Sequence, residues 1–222
     1  MTRPNEDLID TDIWDAAGKY WESEPARKLF AEFPWPETPP AVPPKMHTWF
    51  TAANEQMLLT AIPRNARCIV ELGSWYGGSA LWMAKHFPDA LIVCVDIWKP
   101  YPEILTRPEW ADLQPAAYSH FIANLWPHRH RVIPVRDTTW NGMARARRAG
   151  IDADAVYIDA DHMEKAVALD VVIAAVKFPR AVLVGDDWNR AEVQRGATLG
   201  LALSGFPAKS FITNETCWAC RR

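Results

Sequence analysis

The chain has 222 residues, a hydrophobic fraction of 49% and a formal net charge of −3. This length suits one domain with an appendage, and the negative charge disfavours a nucleic-acid partner, which would require a basic surface. No apolar run approaches the roughly 20 residues of a membrane span, and no charged-then-apolar leader opens the sequence. We therefore expect a cytoplasmic protein whose partner is neither a nucleic acid nor a membrane.

The N-terminal part of the chain is predicted to form an arm outside the main domain. Residues 1–33 are polar and aromatic with a helical pattern, and Ser23 shortly before a proline is typical of a helix start. Six of the eleven residues in 34–44 are proline, which indicates a stiff, extended connector. The arm and connector, residues 1–45, are too short for a core of their own. We expect them to pack on the domain of residues 46–222 or on a second subunit, which would make the protein a homo-oligomer.

The rest of the chain is organised around a buried strand, a glycine-rich turn, a helix and a second strand. Cys68–Leu72 is a short apolar run, as expected of a parallel strand covered on both faces. Gly73 and the glycines that follow it let the backbone turn tightly and come close to a ligand. Asp96, at the end of the second strand, is the residue type that holds both hydroxyls of a ribose. This unit predicts a nucleotide-like ligand across the strand tips.

Strands and helices alternate along the remaining sequence, which predicts βαβ units with right-handed crossovers. The expected fold class is therefore α/β, with a doubly wound, mostly parallel sheet and an N-terminal helical arm. The proline-broken stretch after Trp98 is expected to be a functional loop at the edge of the sheet that carries Asp96. The predicted strands are Cys68–Leu72, Leu91–Val95, Arg131–Val135, Ala155–Asp159, Ala181–Asp187 and Phe211–Cys220, and the predicted helices are residues 46–62, Ser79–Phe87, Ala116–Leu125, Gly142–Ala149, Met163–Val176 and one within Ala197–Arg222.

Carboxylates gather at the ends of two further predicted strands. Asp159 ends the fourth strand and Asp186 and Asp187 end the fifth, so all three should lie at the edge that carries Gly73. Carboxylates packed together repel one another unless one is protonated or a cation lies between them. Because these side chains offer only oxygen, a hard ion such as Mg²⁺, Mn²⁺ or Ca²⁺ is the expected ligand. His162 is the candidate general base, since histidine ordinarily titrates near neutrality.

These segments together resemble the class I S-adenosylmethionine-dependent methyltransferases. The closest likeness is to the branch with catechol-type and macrolide-sugar O-methyltransferases, and it covers about residues 66–190. It implies a Rossmann-like, seven-stranded sheet with an antiparallel last strand, and divalent-metal-assisted O-methylation of a small-molecule hydroxyl on a sugar, catechol-like or natural-product acceptor. The motifs that carry it are Glu71-x-Gly73-x-x-x-Gly77-Gly78-Ser79, Asp96, Tyr157-Ile158-Asp159-Ala160-Asp161-His162, Asp170 and Gly185-Asp186-Asp187.

Carried to this sequence, the resemblance implies roles for particular residues. Glu71 and Gly73 would line the methionine part of S-adenosylmethionine, Asp96 would bind its ribose, and Asp137 with Trp140 would flank its adenine. The catalytic residues would be His162 and Asp159, and the ligands of a metal, expected to be Mg²⁺, would be Asp159, Asp186 and Asp187. The full set expected to bind the cofactor is Glu71, Gly73, Ser74, Gly77, Ser79, Asp96, Ile97, Asp137, Thr138 and Trp140.

Two alternatives stay open on the sequence. A nicotinamide-dependent oxidoreductase shares the strand, turn and acidic tip, but Trp75 stands where its G-x-G-x-x-G pattern requires the second glycine. A non-catalytic cofactor-binding protein would use the acids only as helix caps.

The chain also departs from the metal-dependent branch at Asp187, where many members have asparagine, and at Gly78, a second glycine. Trp75, Trp98, Trp110 and Trp188 are candidates for the wall of an acceptor site.

Overall fold

The structure, a computed structural model, describes residues 19–99 and 113–222. The strands are β1 (Cys68–Leu72), β2 (Leu91–Asp96), β3 (Val132–Arg136), β4 (Ala155–Ile158), β5 (Val182–Gly185), β6 (Phe211–Thr213) and β7 (Trp218–Cys220). The α-helices are α1 (Glu24–Glu32), α2 (Ala52–Ala61), α3 (Gly78–His86), α4 (Ala117–Leu125), α5 (Thr139–Ala149), α6 (Glu164–Lys177) and α7 (Ala191–Leu203). Single turns of 3₁₀ helix lie at Tyr20–Glu22, Gln114–Ala116, Trp126–His128 and Ala208–Ser210.

The strands of the described residues form one seven-stranded sheet in the order β3-β2-β1-β4-β5-β7-β6. β1 to β5 are parallel, and Val70 of β1 pairs with Val93 of β2 on one side and Val156 of β4 on the other. β7 runs antiparallel to both β5 and β6. The predicted doubly wound, mostly parallel, seven-stranded sheet with an antiparallel last strand is confirmed. Its strand order reverses between β1 and β4, which is where open sheets of this kind bind ligands.

The central strands are buried because helices cover both faces of the sheet. Cys68, Val70 and Leu72 of β1 belong to one core cluster, together with residues of α5, α6 and α7. Ile69 belongs to the other cluster, together with residues of α2, α3 and α4. Alternate side chains enter opposite clusters, so the sequence of β1 shows an unbroken apolar run rather than an apolar–polar alternation.

The described part of the arm packs on the chain's own domain. α1 begins after Ser23, whose hydroxyl accepts a hydrogen bond from a backbone N–H of the first turn, as predicted. Trp21 and Leu29 are buried in the core cluster that contains β1 side chains. The proline-rich connector has no helix or strand, and the Trp35 indole N–H donates to the Val132 carbonyl at 2.7 Å. The domain boundary and a homo-oligomer through the arm stay predictions.

The helix predicted from residue 46 begins only at Ala52. Thr51 and Asn54 form a capping box, which satisfies the free N–H groups of the first turn and so starts the helix there. Residues 46–50 contain no helix or strand and instead run to the edge of the sheet that carries Gly73. The prediction was wrong because apolar residues continue upstream at helical spacing.

Several further boundaries differ from the sequence prediction, and local hydrogen bonds explain two of them. The tail strand predicted over Phe211–Cys220 is a hairpin of two short strands, because Asn214 turns the chain and its side chain accepts the Cys217 N–H at 2.8 Å. The helix predicted from Gly142 begins at Thr139, since the preceding residue caps it with its hydroxyl.

The loop predicted after Trp98, with Trp110 in it, lies outside the described residues apart from its two ends. Among the helices of residues 19–99 and 113–222, none combines the length and the apolar character needed to cross a membrane.

Candidate active site

The carboxyl ends of the central strands open into a cavity of about 570 Å³. This volume lies within the range of small-molecule and cofactor sites, about 300 to 1,000 Å³. The cavity brings together most residues that the sequence singles out, from both the cofactor set and the acidic set. Those that line it are Gly73, Ser74, Ser79, Asp96, Ile97, Thr138, Trp140, Asp159, His162, Asp186 and Asp187.

The turn after β1 depends on Gly73. Its φ of +85° lies in the left-handed region that favours glycine, and its N–H donates to the Val95 carbonyl at 2.8 Å. A Cβ atom at this position would clash with the backbone carbonyl of Asp159. The missing side chain therefore lets the cofactor-side turn lie directly against the tip of β4, beside the acidic residues.

Asp96 holds the turn from the neighbouring strand. One carboxylate oxygen accepts the N–H groups of Ser74 and Trp75 at 3.0 and 2.9 Å, and the other accepts the Trp98 N–H at 2.6 Å. Burial raises the pKa of Asp96, and these three hydrogen bonds oppose the rise. A carboxylate offers about four acceptor positions, so one stays available for a ribose hydroxyl.

Backbone strain in the described residues is concentrated at this cavity. Trp75, Trp98 and Asp187 are the non-glycine residues with positive φ, at +47°, +43° and +55°, and all three line the cavity. Residues other than glycine rarely adopt positive φ angles, because the side chain then crowds the backbone. Such strained conformations persist at functional sites, where the surrounding structure enforces them.

Three residues of the expected cofactor set do not reach the cavity wall. Glu71 is fully buried behind it, and its carboxylate accepts hydrogen bonds from the hydroxyls of Ser74 and of Ser79, the latter at 2.5 Å. Burial raises the pKa of Glu71 to about 7, although these hydrogen bonds lower it. Gly77, with a φ of +83°, lies against α4, where a Cβ atom would clash with a leucine side chain.

Asp137 is the third residue away from the wall. It accepts the Thr138 N–H at 2.8 Å and the Arg145 guanidinium at 2.7 Å. Hydrogen bonds from Thr138, Asn141 and Arg145 outweigh the effect of burial and lower its pKa. It supports the start of α5 from outside, while Thr138 and Trp140 face the cavity. A direct contact of Asp137 or Glu71 with the cofactor stays a prediction.

The acidic end of the cavity carries poorly compensated charge. Asp159 is half-buried, and this burial, with the negative charges of Asp186 and Asp187, raises its pKa well above the ordinary value. Asp187 pairs with His162, whose Nε2 lies 2.7 Å from a carboxylate oxygen. Burial would raise the pKa of Asp187, but this contact and the charge of Arg190 lower it below the ordinary value.

The possible metal ligands differ from the expected trio. Asp159, His162 and Asp187 offer one ligand atom each within 4.8 Å of one another, and Asp186 is outside this group. Asp186 is instead turned toward the Tyr157 hydroxyl and the Cys217 thiol, at 3.4 and 3.5 Å. The described residues thus assemble two carboxylates and one imidazole rather than an oxygen-only set.

The sequence interpretation missed the segment His47–Thr51, which lines the cavity as an irregular strap. His47 accepts the Trp75 indole N–H at 3.1 Å, and its ring lies 4.7 Å from that of Trp49. The signal that could have found it is the capping box at Thr51 and Asn54, which starts α2 there and leaves His47–Thr51 outside the helix.

Of the tryptophans expected at an acceptor site, Trp75 and Trp98 line the cavity. Trp188 is not among the lining residues and instead packs against Phe211, with ring centroids 5.1 Å apart. Trp110 lies outside the described residues. Asp170, a further buried carboxyl that lines the cavity, had no predicted role.

The fold, the glycine turn and the acidic strand tip define a nucleotide-type site at the switch point of an α/β sheet. The sequence matches the family described as Methyltransferase domain over residues 70–188, and the chain belongs to that family. It is therefore an S-adenosylmethionine-dependent methyltransferase, which favours the methyl-donor interpretation over the nicotinamide alternative. Searches of curated proteins found no significant match.

Solved structures share the fold at low sequence identity. A precorrin-6y C5,15-methyltransferase from Geobacter metallireducens GS-15 is 11% identical, with a TM-score of 0.50 over 79% of this chain and 91% of that one. Cofactor-bound Rv0187 from MTB is 17% identical, with a TM-score of 0.49 over 99% and 98%. Aeropyrum pernix fibrillarin with natively bound S-adenosyl-L-methionine is 16% identical, with a TM-score of 0.48 over 76% and 73%. Identity this low says nothing about the acceptor.

Proposed function

We propose that the chain methylates a hydroxyl group of a small molecule, with the acceptor bound between the acidic end of the cavity and the His47–Thr51 strap. The observation that carries the proposal is the group Asp159, His162 and Asp187, whose polar atoms lie within 4.8 Å of one another at the cavity edge. A hydroxyl is a poor nucleophile until it loses its proton, and this group contains the residue types that remove or stabilise one.

The donor half of the cavity fits S-adenosylmethionine. When bound, S-adenosylmethionine supplies a methyl group on a sulfonium sulfur, which an aligned nucleophile displaces in line. Gly73 brings the turn close to the ligand, and Asp96 keeps one acceptor position for a ribose hydroxyl. Trp140, expected with Asp137 to flank the adenine, lines the cavity beside Thr138. The close contact of Gly73 with β4 sets the donor half directly beside Asp159.

A divalent cation fits the acidic half of the cavity. Asp159 has a raised pKa and faces the charges of Asp186 and Asp187, so a bound cation would relieve the repulsion. Two carboxylates with one imidazole suit an ion such as Mn²⁺, which accepts nitrogen, better than the Mg²⁺ expected from oxygen alone. When bound, such an ion would lower the pKa of an acceptor hydroxyl. Asp159, His162 and Asp187 would hold it.

A second mechanism is favoured by the 2.7 Å contact between His162 and Asp187. In a metal-free enzyme, Asp187 would hold the imidazole in one orientation and balance its charge, while His162 would take the proton of the acceptor hydroxyl. The two mechanisms give His162 different tasks, since a metal would occupy the nitrogen that otherwise faces Asp187.

The charge of the cavity restricts the acceptor. Lys99 and Arg190 are the lysine and arginine side chains among its described lining residues, against six aspartates. An anionic acceptor such as a phosphate ester would be repelled, so we propose a neutral or cationic one. The rings of His47, Trp49 and Trp75 lie together at the strap and offer a ring face for an aromatic or sugar acceptor. The six aspartates are Asp96, Asp159, Asp161, Asp170, Asp186 and Asp187.

The test is methyl transfer from a labelled donor to a metabolite extract, read by mass spectrometry, with and without a chelator. Loss of the product on chelation and its return with Mn²⁺ would support the metal mechanism. Transfer that persists in chelator but is lost in His162→Gln would support the His162–Asp187 mechanism. A product methylated on nitrogen or carbon would overturn the proposal, as would a labelled nucleic acid or protein as the product.

A further inference from the structure

Asp170 is a buried carboxyl to which neither the proposed chemistry nor the family likeness assigns a role. It lies in α6 with 2% of its surface exposed, and it lines the cavity beside Thr139 and Trp140. A buried carboxylate destabilises the fold unless hydrogen bonds or opposite charges compensate it. The groups that compensate Asp170 therefore indicate what it does.

The partners of Asp170 belong to the start of α5. The hydroxyl of Thr139, the first residue of α5, donates to the Asp170 carboxylate at 2.5 Å and so ties α5 to α6. Burial raises the pKa of Asp170 to about 6, and hydrogen bonds from Thr139 and Trp140 oppose the rise. The N-terminus of a helix also favours a nearby negative charge, because its first N–H groups have no partner within the helix.

The segment that Asp170 holds is one wall of the cavity. Thr138, Thr139 and Trp140 line it in succession. Trp140 is 44% exposed, so packing against other side chains restrains its indole ring only in part. Asp137 supports the segment from the solvent side through the Thr138 N–H at 2.8 Å. Asp170 supplies the support from the buried side.

We propose that Asp170 is a positioning residue for S-adenosylmethionine, which through Thr139 and Trp140 fixes the cavity wall that receives the nucleoside of the cofactor. The proposal rests on the donor half of the proposed function and is independent of the acceptor and the metal. Without the carboxylate, the wall is less ordered before binding. The cofactor must then order it, and the lost conformational freedom weakens binding. Charge-assisted hydrogen bonds are roughly twice as strong as neutral ones, so an amide does not replace the carboxylate.

The test compares S-adenosylhomocysteine binding, by calorimetry, in Asp170→Asn, Thr139→Val and the double variant. Each single variant is expected to bind about tenfold more weakly, a loss of about 1.4 kcal/mol. Because Thr139→Val removes a hydrogen bond that Asp170→Asn also disrupts, the double variant should lose little more than Asp170→Asn alone. The KM for S-adenosylmethionine should rise in parallel, while kcat at saturating donor stays at the wild-type value.

The matched control is Asp154→Asn. Asp154 also secures a segment, because its carboxylate accepts the N–H groups of Arg67 and Cys68 at 2.7 and 3.0 Å. Asp154 is not among the residues that line the cavity. This variant should lose thermal stability and keep its S-adenosylhomocysteine affinity. Wild-type affinity in Asp170→Asn would overturn the proposal, as would additive losses in the double variant. If Asp170→Asn fails to fold, Thr139→Val removes the same hydrogen bond from the other partner and decides alone. Failure of the wild type to bind would refute the cofactor assignment instead.

Discussion

The two ends of the cavity compensate their carboxylates in opposite ways. Asp96, at the donor end, accepts three backbone N–H groups of its own chain. Asp159, at the acidic end, faces the charges of Asp186 and Asp187, and its pKa is raised well above the ordinary value. The donor end is therefore complete before any ligand binds. The acidic end reaches electrostatic balance only with protons, with His162 or with a cation.

Both ends of the cavity contain residues with a strained, left-handed backbone conformation. The left-handed conformations of Trp75 and Trp98 accompany N–H groups that are directed at Asp96. Asp187 has the same type of conformation at the acidic end, where its side chain contacts His162. Strain at the donor end thus serves a preformed site, whereas strain at the acidic end brings like charges together. Substitutions at one end at a time separate these two designs.

The largest effect is expected from His162→Gln, which removes the imidazole of the acidic end. If His162 is the general base, methyl transfer should fall by about 10²- to 10⁴-fold, because a positioned acid–base group contributes an acceleration of that size. If His162 is a metal ligand, methyl transfer should also fall, because the cation loses one of the three side chains that would hold it. S-adenosylhomocysteine affinity should stay at the wild-type value, since the donor end does not depend on His162. Steady-state kinetics and calorimetry measure the two quantities.

His86→Gln, at the far end of α3, is the matched control for that substitution. It should leave both turnover and affinity unchanged. Equal losses of turnover and cofactor affinity in His162→Gln would show that the two ends are not independent.

A pH-dependent effect is expected from Glu71→Gln behind the donor end. Burial raises the pKa of Glu71 from 4.5 to about 7, so the folded state holds this proton more tightly than the unfolded state does. The stability linked to this proton is fully present below pH 4.5 and is lost as the pH rises through 7. The loss at higher pH is about 3 kcal/mol for a shift of this size.

Glutamine does not titrate, so the unfolding free energy of Glu71→Gln should rise relative to that of the wild type as the pH increases from 4.5 to about 7. Urea unfolding of both proteins along the window measures the difference in unfolding free energy. A difference that stays constant with pH would contradict a protonated Glu71 and would place an ionised carboxylate behind the turn.

The donor end could be predicted from the sequence more fully than the acidic end. Gly73 and Asp96 lie within one βαβ unit, where local pattern and chain geometry decide their positions. The convergence of Asp159, Asp186 and Asp187 could also be predicted, because parallel strands end at one edge. The choice of His162 over Asp186 in the group of ligand atoms could not, since it depends on the side-chain direction that a left-handed Asp187 sets.

The strap and Asp170 could not be placed from the sequence for a different reason. Met46, Trp49 and Phe50 continue the apolar spacing of α2, so periodicity alone assigns them to the helix. Their exclusion from it depends on the capping box at the start of α2. Asp170 lies mid-helix, where an aspartate usually faces solvent. Its burial follows from the packing of α6 against α5, which no local pattern encodes.

The smallest effect, and the sharpest test of the comparison, comes from the same substitution at both ends. In Asp96→Asn, the amide NH₂ faces a backbone N–H whichever way the side chain is placed, so at least one hydrogen bond is lost. The cost should be about 2 kcal/mol of unfolding free energy, as for a hydrogen bond to a charged group.

In Asp159→Asn, a repelled carboxylate becomes neutral, and the unfolding free energy should rise at neutral pH. Urea unfolding in chelator, with no bound cation to offset the repulsion, measures both. Functional sites commonly trade stability for activity, so Asp159→Asn should also be the less active protein. A fall in the unfolding free energy of Asp159→Asn would mean that the acidic end is balanced by the chain itself and leaves no electrostatic need for a cation.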